Sequence, residues 1–201
     1  MDDIKPMAIV FASHDGQTRL IMARLAWQIE ALGQPVQLYD LGAQSPSRAV
    51  LEESSFIVLA APVRYGFHLA PLSRFLRRQG EWLRQRHLAV ISVNLTARKK
   101  GKHTPKTNPY LRRFVRRHRL NPVAQAVFAG RLAYPLYKWW ERLALRFIMM
   151  ISGGPTDPDA MHDYTDWQAV DRFAHHLIDV RTLLMVRENL KLDFSMNKEQ
   201  I

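Results

Sequence analysis

A short polar segment near the start of the chain carries residue types that bind phosphate groups in proteins. Residues 13–18 read Ser-His-Asp-Gly-Gln-Thr, between an apolar run at residues 7–12 and a segment with helical spacing. A helix N-terminus offers free N–H groups and partial positive charge to an anion, and Gly16 lets the backbone come close. Ser13 and Thr18 add hydroxyl donors. The pattern predicts a phosphate-binding turn, although an N-capped turn with no ligand has the same features.

The residues that this turn lacks narrow the kind of phosphate. It contains no lysine of the Walker type and no Gly-x-Gly-x-x-Gly of the dinucleotide-binding type. A phosphate monoester, such as that of FMN, therefore fits the turn better than a triphosphate or a pyrophosphate does.

Strand patterns alternate with helical patterns along the chain, and this alternation predicts the fold. Short apolar runs, typical of strands buried in a parallel sheet, occur at residues 7–12, 36–39, 56–61, 88–93 and 125–130. Helical patterns occur at residues 18–32, after Ser45-Pro46, at 71–86 and 108–119, and from a capping box at 165–168 to residue 184 or beyond. We expect an α/β fold: a flavodoxin-like doubly wound five-stranded parallel sheet in the order 2-1-3-4-5, with a helical insertion after strand 5.

Two loops should join the turn at the carboxyl ends of the strands, where doubly wound folds bind ligands. One follows the third predicted strand (residues 61–66) and the other follows the fourth (residues 92–98). A proline, an aromatic ring and a glycine suit a wall beside a flat ring, and the Asn94 amide offers a donor and an acceptor to the pyrimidine edge of a flavin. The predicted cofactor-binding residues are Ser13, His14, Asp15, Gly16, Gln17, Thr18, Pro62, Val63, Arg64, Tyr65, Gly66, Ser92, Val93, Asn94 and Leu95.

The composition limits the classes of function. The 201 residues, 47% of them hydrophobic, suit one domain with its own core. The absence of cysteine excludes disulfides, cysteine nucleophiles, thiolate metal sites and iron–sulfur clusters, and we expect no metal site. Residues 1–6 lack the pattern of a signal peptide, and no stretch has the length of an apolar membrane-spanning helix.

Positive charge is concentrated in one part of the chain. The formal net charge is +11, and the interval between Glu81 and Glu141, which has no acidic residue, holds 14 of the 29 Lys and Arg residues. A block of one sign attracts an anionic partner such as nucleic acid, phospholipid headgroups or a polycarboxylate ligand. A solvated basic face that aids solubility gives the same pattern.

One segment of the expected insertion has the pattern of an amphipathic helix. In residues 137–151, apolar side chains share one face at helical spacing, while Lys138, Arg142 and Arg146 lie on the other side. Tryptophans and a wide apolar face with cations opposite are typical of a helix that lies in the membrane interface. A core helix, a substrate lid and an oligomer interface remain alternatives. The predicted membrane contacts are Trp139, Trp140, Leu143, Phe147, Met150 and Ile151.

Several motifs together resemble one enzyme family. They are residues 13–18, Arg64-Tyr65-Gly66, residues 92–95 with Ala97-Arg98-Lys99, Thr104-Pro105 with Thr107-Asn108, Tyr134-Pro135, Met150 with Ser152-Gly153-Gly154, and residues 164–167. Over about residues 7–180 the chain resembles the flavodoxin-like, quinone-dependent protoporphyrinogen IX dehydrogenases of bacterial haem synthesis. His14 stands where the resemblance leads us to expect an arginine, which makes a phosphate contact at that position weaker and dependent on pH.

The resemblance implies FMN-dependent oxidation of protoporphyrinogen IX to protoporphyrin IX in haem biosynthesis, with electrons passed to menaquinone or ubiquinone in the membrane. It implies a peripheral protein on an anionic membrane surface, the cytoplasmic face of the inner membrane. We expect one flavodoxin-like domain over residues 1–201, with an insertion at about 131–165 and a tail at about 183–201 that has no assigned role.

The resemblance also points to groups that hold the substrate, since FMN would carry the redox chemistry. Arginines can pair with the two propionates of the porphyrinogen, and an aromatic residue and a histidine could stack on the macrocycle or handle protons. The predicted substrate-binding residues are Arg64, Tyr65, His68 and Arg98.

Other functions fit parts of the sequence. A flavodoxin-type NAD(P)H:quinone reductase would share the fold but take electrons from a nicotinamide. A basic nucleic-acid-binding module would use the arginines at positions 112, 113, 116, 117 and 119, but no nucleic-acid motif is present and we expect no nucleic acid. A plain electron carrier fits the strong basic charge least well. The sequence leaves a homo-oligomer open.

Overall fold

The structure is a computed structural model that describes residues 4–136, 139–151, 157 and 161–198. Its elements in chain order are β1 (Met7–Phe11), α1 (Gln17–Ala31), β2 (Val36–Asp40), α2 (Arg48–Glu52), β3 (Phe56–Arg64), β4 (Phe67–His68), α3 (Ala70–Leu83), β5 (Leu88–Val93), α4 (Pro109–His118), β6 (Ala124–Phe128), β7 (Arg131–Ala133), α5 (Trp139–Ile151), β8 (Met161–Asp163) and α6 (Trp167–Lys198). Two short 3₁₀ turns cover Leu95–Arg98 and Tyr134–Leu136.

The five strands expected from the sequence form a parallel sheet in the order β2-β1-β3-β5-β6. Counted among themselves, they have the predicted order 2-1-3-4-5. The structure adds β4, which pairs with β3 in antiparallel fashion, and a separate antiparallel pair of β7 and β8. These added strands have two or three residues each, which is too short to produce a recognisable pattern of alternation.

The central strands are apolar throughout because both faces of the sheet are covered. Along β1, Met7, Ile9 and Phe11 belong to a core cluster that includes residues of α1 and α6. Ala8 and Val10 point the other way, into a cluster that includes residues of α3 and α4. Successive side chains of a strand alternate between faces, so two cores lie on opposite sides of one sheet.

Two helix starts differ from the expected ones. Helix α2 is capped by Ser47, whose Oγ accepts a hydrogen bond from the N–H of Val50, and not by Ser45. At α6 the carboxylate of Asp166 accepts a hydrogen bond from the N–H of Ala169, while Thr165 Oγ1 donates to the carbonyl of Ala129. The capping box predicted at residues 165–168 is therefore wrong, because Thr165 bonds to the chain just after β6.

The region of the expected insertion contains β7, α5 and β8. A small core of Leu132, Tyr134 and Met149 joins β7 to α5, and Leu95 and Tyr164 pack against it. Helix α5 is thereby fixed to the segment that follows β5. Lys138 and the motif at residues 152–154 lie outside the described residues. Residues 183–198, the described part of the expected tail, continue α6.

Asn108 is fully buried at the start of α4 and serves both the helix and the segment that follows β5. Its Oδ1 accepts hydrogen bonds from the N–H groups of Tyr110 and Leu111, each at 3.2 Å. Its Nδ2 donates to the carbonyl of Lys102 at 2.9 Å and to Oδ1 of Asn94 at 3.2 Å.

We expect Asn108→Ala to lower the free energy of unfolding by about 2–3 kcal/mol, because it removes a helix cap and leaves buried polar groups without partners. Urea denaturation followed by circular dichroism measures the change. Ser47→Ala is the matched control, because it removes an exposed cap, and should cost about 1 kcal/mol or less. Equal losses in the two variants would contradict the role given to the buried amide.

Candidate functional site

A cavity of about 340 Å³ opens where β1, β3 and β5 end. Its volume is within the range of roughly 300–1,000 Å³ that is usual for small-molecule and cofactor sites. Eleven of the predicted cofactor-binding residues line it: Asp15, Gln17, Thr18, Pro62, Val63, Arg64, Tyr65, Gly66, Val93, Asn94 and Leu95. The three segments that were expected to meet at this edge of the sheet do meet there.

The predicted phosphate turn contributes Asp15, Gln17 and Thr18 to the lining of the cavity. Gly16 has a φ of 81°, a left-handed conformation that favours glycine, and it directly precedes α1. Gln17 and Thr18 are buried in the first turn of the helix. The Gln17 amide donates to Asp163 Oδ1 at 3.0 Å and to Thr165 Oγ1 at 2.9 Å, and so ties the turn to the end of β8.

Three predicted cofactor residues of the turn, Ser13, His14 and Gly16, lie outside the cavity lining. The Oγ of Ser13 accepts a hydrogen bond from the N–H of Arg19 at 3.4 Å. The His14 side chain is 58% exposed and its Nε2 lies 3.7 Å from Asp15 Oδ1. In this arrangement His14 faces the Asp15 carboxylate and does not line the cavity.

The carboxylate of Asp15 is held by an arginine from the end of β3. Arg64 Nη1 donates to Asp15 Oδ1 at 3.0 Å and lies 3.3 Å from Oδ2, and the Arg64 side chain is only 15% exposed. A carboxylate in the turn would repel an incoming phosphate, and this ion pair offsets its charge. Arg64 therefore reduces the negative charge that the turn presents to an anionic ligand.

Tyr65 lies at the tip of the hairpin that joins β3 to β4. Arg64 pairs with Phe67 across the hairpin, so Tyr65 and Gly66 are the two turn residues, with φ of 51° and 81°. Two positive φ values are what a type I′ turn requires, and for a tyrosine this conformation is strained. The ring of Tyr65 is exposed and stacks on Trp140 of α5, with 5.8 Å between centroids and 18° between planes.

The structure corrects the prediction for His68. Its side chain is buried and does not line the cavity; its Nε2 lies 2.8 Å from Ser92 Oγ, and its ring packs on Phe114. Burial, together with the nearby His118, lowers the pKa of His68 to about 4. His68 is thus a neutral interior group at pH 7, and it is not placed to contact a substrate in the cavity.

Ser92 and Asn94 belong to the same buried network. Ser92 is fully buried and lies outside the cavity lining, and Asn94 Nδ2 donates to its hydroxyl at 3.0 Å. Asn94 Oδ1 accepts hydrogen bonds from the N–H of Ala97 and from Asn108 Nδ2. Asn94 lines the cavity, but its amide oxygen holds the loop together, so the expectation that this amide reads a flavin edge is not supported.

Arg98 lines the cavity and contacts the insertion. Its Nη1 donates to the carbonyl of Leu95 at 3.2 Å, its Nη2 lies 3.1 Å from Met149 Sδ, and its guanidinium is 5.8 Å from the centre of the Tyr164 ring. Lys99 lines the same cavity. These two cations give one side of the cavity a positive charge.

Helix α5 has one face against the cavity and an apolar face in solvent. Leu145 and Met149, one turn apart, line the cavity. The predicted membrane contacts are all exposed, by between 44% and 74%: Trp139, Trp140, Leu143, Phe147, Met150 and Ile151. Exposed apolar residues concentrated on one helix mark an interaction surface. Within the described ranges, no helix is both long and apolar enough to cross a bilayer.

Seven further residues of the lining were missed by the sequence-based prediction: Thr96, Lys99, Tyr110, Gly130, Arg131, Leu145 and Met149. Gly130 and Arg131 follow β6, so the rule applied to the other strand ends could have found them. Tyr110, Leu145 and Met149 come from helices, and no local signal marks them, because only the packing of α4 and α5 brings them to the cavity.

Comparison with known proteins agrees with this architecture. The family model of the flavodoxin domain matches residues 8–159. The protoporphyrinogen IX dehydrogenase (quinone) of Escherichia coli strain K12 is 38% identical over 178 residues, which cover 87% of this chain and 97% of that protein. This chain belongs to the protoporphyrinogen IX dehydrogenase family. A family member of the same name from Leishmania major is 36% identical over 166 residues, covering 83% of this chain and 71% of that protein.

Solved structures show the same fold at greater distance. Flavodoxin 1 from Bacillus cereus superimposes with a TM-score of 0.53 at 14% identity, covering 87% of this chain and 97% of that chain. At this identity the likeness shows the fold alone. The expected flavodoxin-like fold is confirmed. Because this chain belongs to a family with a flavodoxin domain, a flavin cofactor is implied for it.

We expect the free energy of unfolding to fall as the pH is lowered from about 6.5 towards 4, because His68 is protonated in the unfolded chain but stays neutral in the folded protein. Above pH 6.5 the free energy of unfolding has its full value with respect to His68. Protonation of the unfolded chain at lower pH can reduce this free energy by up to about 3 kcal/mol. The lowered pKa of His118 acts in the same direction.

Urea denaturation at pH 7.5 and pH 5 measures this dependence. His68→Gln, which can still bond to Ser92, should flatten it, whereas His103→Gln at an exposed position should leave it unchanged. An equally steep loss of stability in His68→Gln and the wild type would show that His68 is not its source.

Proposed function

We propose that this chain oxidises protoporphyrinogen IX to protoporphyrin IX in haem biosynthesis, with FMN as its cofactor and a membrane quinone, menaquinone or ubiquinone, as the electron acceptor. The reaction removes six electrons and six protons from the porphyrinogen, and reduces three quinones to quinols. The observation that carries the proposal is one cavity that is lined by residues of the predicted phosphate turn, by cations and by apolar side chains. Close family membership along nearly the whole relative supports it.

The residues of the cavity fit FMN. Residues 15–18 provide the start of a helix for the phosphate, with Gly16 leaving its Cβ position free of neighbours within 4 Å. Residues 62–66 and 93–95 provide the walls for a flat ring. FMN, when bound, supplies an acceptor for two electrons at a time. The protein holds that cofactor, orients the substrate beside it and keeps water away.

The geometry changes which cations we assign to the propionates of the substrate. Arg64 is engaged with Asp15, whereas Arg98 and Lys99 lie together on the cavity lining. We assign the carboxylate contacts to Arg98 and Lys99, because arginine and lysine pair strongly with carboxylates where water is partly excluded. Tyr65, Leu145 and Met149 offer apolar surface to the macrocycle.

We place the protein at the periphery of the inner membrane, on its cytoplasmic face, as part of the proposal, and the exposed apolar face of α5 supports the membrane contact. The stack of Tyr65 on Trp140 joins the apolar face of α5 to the mouth of the cavity. Phe67 of the same hairpin contacts the basic helix α4, since the centre of its ring lies 4.5 Å from the guanidinium of Arg113. Apolar and cationic surfaces thus flank one hairpin, an arrangement that suits an anionic bilayer, and near the surface each cation adds about 1 kcal/mol.

The activity is tested with FMN-loaded protein under anaerobic conditions. We expect protoporphyrin fluorescence to appear when protoporphyrinogen IX and a quinone are both supplied, with three quinones reduced for each porphyrin formed. NADH and NADPH serve as alternative donors in parallel reactions. Quinone reduction by a nicotinamide, with none by the porphyrinogen, would overturn the proposal in favour of an NAD(P)H:quinone reductase.

We expect the double variant Leu143→Ser with Phe147→Ser to bind anionic vesicles at least about tenfold more weakly than the wild type, because it removes two exposed apolar side chains from α5. Sedimentation with vesicles that contain phosphatidylglycerol measures the binding. Leu20→Ser with Leu38→Ser is the control, since it removes exposed apolar side chains from α1 and β2. Equal effects of the two double variants would exclude α5 as the membrane contact.

A further inference from the structure

Arg131 contacts the predicted phosphate turn from the segment that follows β6. It is the first residue of β7, directly after Gly130, and its side chain lines the cavity. Its Nη2 donates to the main-chain carbonyl of Asp15 at 3.2 Å. A cation from the insertion therefore lies against the turn at the start of α1.

This guanidinium has unused capacity for an acceptor. Its Nε is buried and has no hydrogen-bond partner among the described residues. Within the same residues, no carboxylate forms an ion pair with Arg131, and the carboxylate of Asp15 is bound by Arg64. A partly buried cation without a counter-ion is costly, and so the site favours an anionic ligand.

Residues 13–18, which form the turn, contain no lysine or arginine. His14 is exposed, faces Asp15 and lies outside the cavity lining. In the described part of the chain, the charge of Arg64 is offset by Asp15, whereas Arg131 contacts residues 15–18 and has capacity for a further anion. Arginine is suited to this role because its planar group can give two parallel hydrogen bonds to phosphate oxygens.

We infer that Arg131 binds the phosphate monoester of the flavin cofactor and makes the site selective for FMN over the unphosphorylated flavin. This inference rests on the flavin site of the proposed function. The N-terminus of α1 supplies N–H donors to the phosphate, and the guanidinium of Arg131, from the insertion, donates further hydrogen bonds to it. Cofactor binding and the position of β7 are then coupled, since one side chain belongs to both.

The test compares two ligands that differ by one phosphate. Apoprotein is titrated with FMN and with riboflavin, and flavin fluorescence gives the dissociation constant of each. We expect Arg131→Met to weaken FMN binding by about 10- to 100-fold while riboflavin binding stays within about twofold, because a charge-assisted contact to the phosphate is lost. Arg131→Lys, which keeps the charge, should fall between the wild type and Arg131→Met.

Arg19→Met is the matched control. Arg19 carries the same charge in the first turn of α1, but it is exposed and pairs with Asp40. It should change FMN binding by no more than about threefold through long-range charge alone, since exposed charges are screened. Circular dichroism of each variant verifies the fold, and if Arg131→Met does not fold, the ratio of FMN to riboflavin affinity in Arg131→Lys decides.

Each other outcome is informative. If Arg131→Met keeps the wild-type preference for FMN, or weakens both flavins equally, Arg131 does not bind the phosphate, and the inference fails while the proposed function stands. If the wild-type apoprotein binds neither flavin, the flavin site of the proposed function fails, and this inference fails with it.

Discussion

Asp15 places a negative charge in the turn where the fold would receive a phosphate, and the rest of the site depends on how that charge is balanced. The partner comes from β3, through Arg64. Arg64 can reach the turn because the register of the β3–β4 hairpin pairs it with Phe67 and leaves Tyr65 and Gly66 to form the tip. The positive φ at Tyr65 is therefore a cost of the hairpin geometry. The same hairpin places Arg64 against the Asp15 carboxylate and the Tyr65 ring at the cavity.

A chain of buried polar groups fixes the loop after β5. His68, Ser92, Asn94 and Asn108 are joined by hydrogen bonds from β4 to the start of α4. Because the interior favours neutral, fully bonded groups, such a network gives the loop one defined shape. The small core around Tyr134 and Met149 holds α5. The cavity is therefore supported by a polar network, through Asn94, and by an apolar core, through Met149.

The sequence predicted the sheet and the edge at which the site forms, because apolar runs and the alternation of strands with helices are local patterns. It predicted less well which side chains face the cavity. His68 follows a strand end like the true wall residues, but it packs on Phe114, which is distant in the chain and has no local signal. Arg131 is one of many arginines in a basic block; its place after a strand end suggests the cavity, but no local pattern shows its bond to the carbonyl of Asp15. The positive φ at Tyr65 follows from the register of a hairpin whose second strand has only two residues. Asp166 and not Thr165 caps α6, because Thr165 bonds to Ala129 across the fold.

On the proposed function, the exposed face of α5 determines how often the enzyme meets its electron acceptor. A quinone with a long isoprenoid tail is confined to the bilayer, so a protein in bulk water meets it only at the surface. On the proposed function, α5 holds the cavity mouth at that surface, and two partners that diffuse in the same thin layer experience a high effective concentration. A modest affinity of α5 for lipid would then raise the rate of electron transfer to the quinone, even though α5 itself need not contact the quinone.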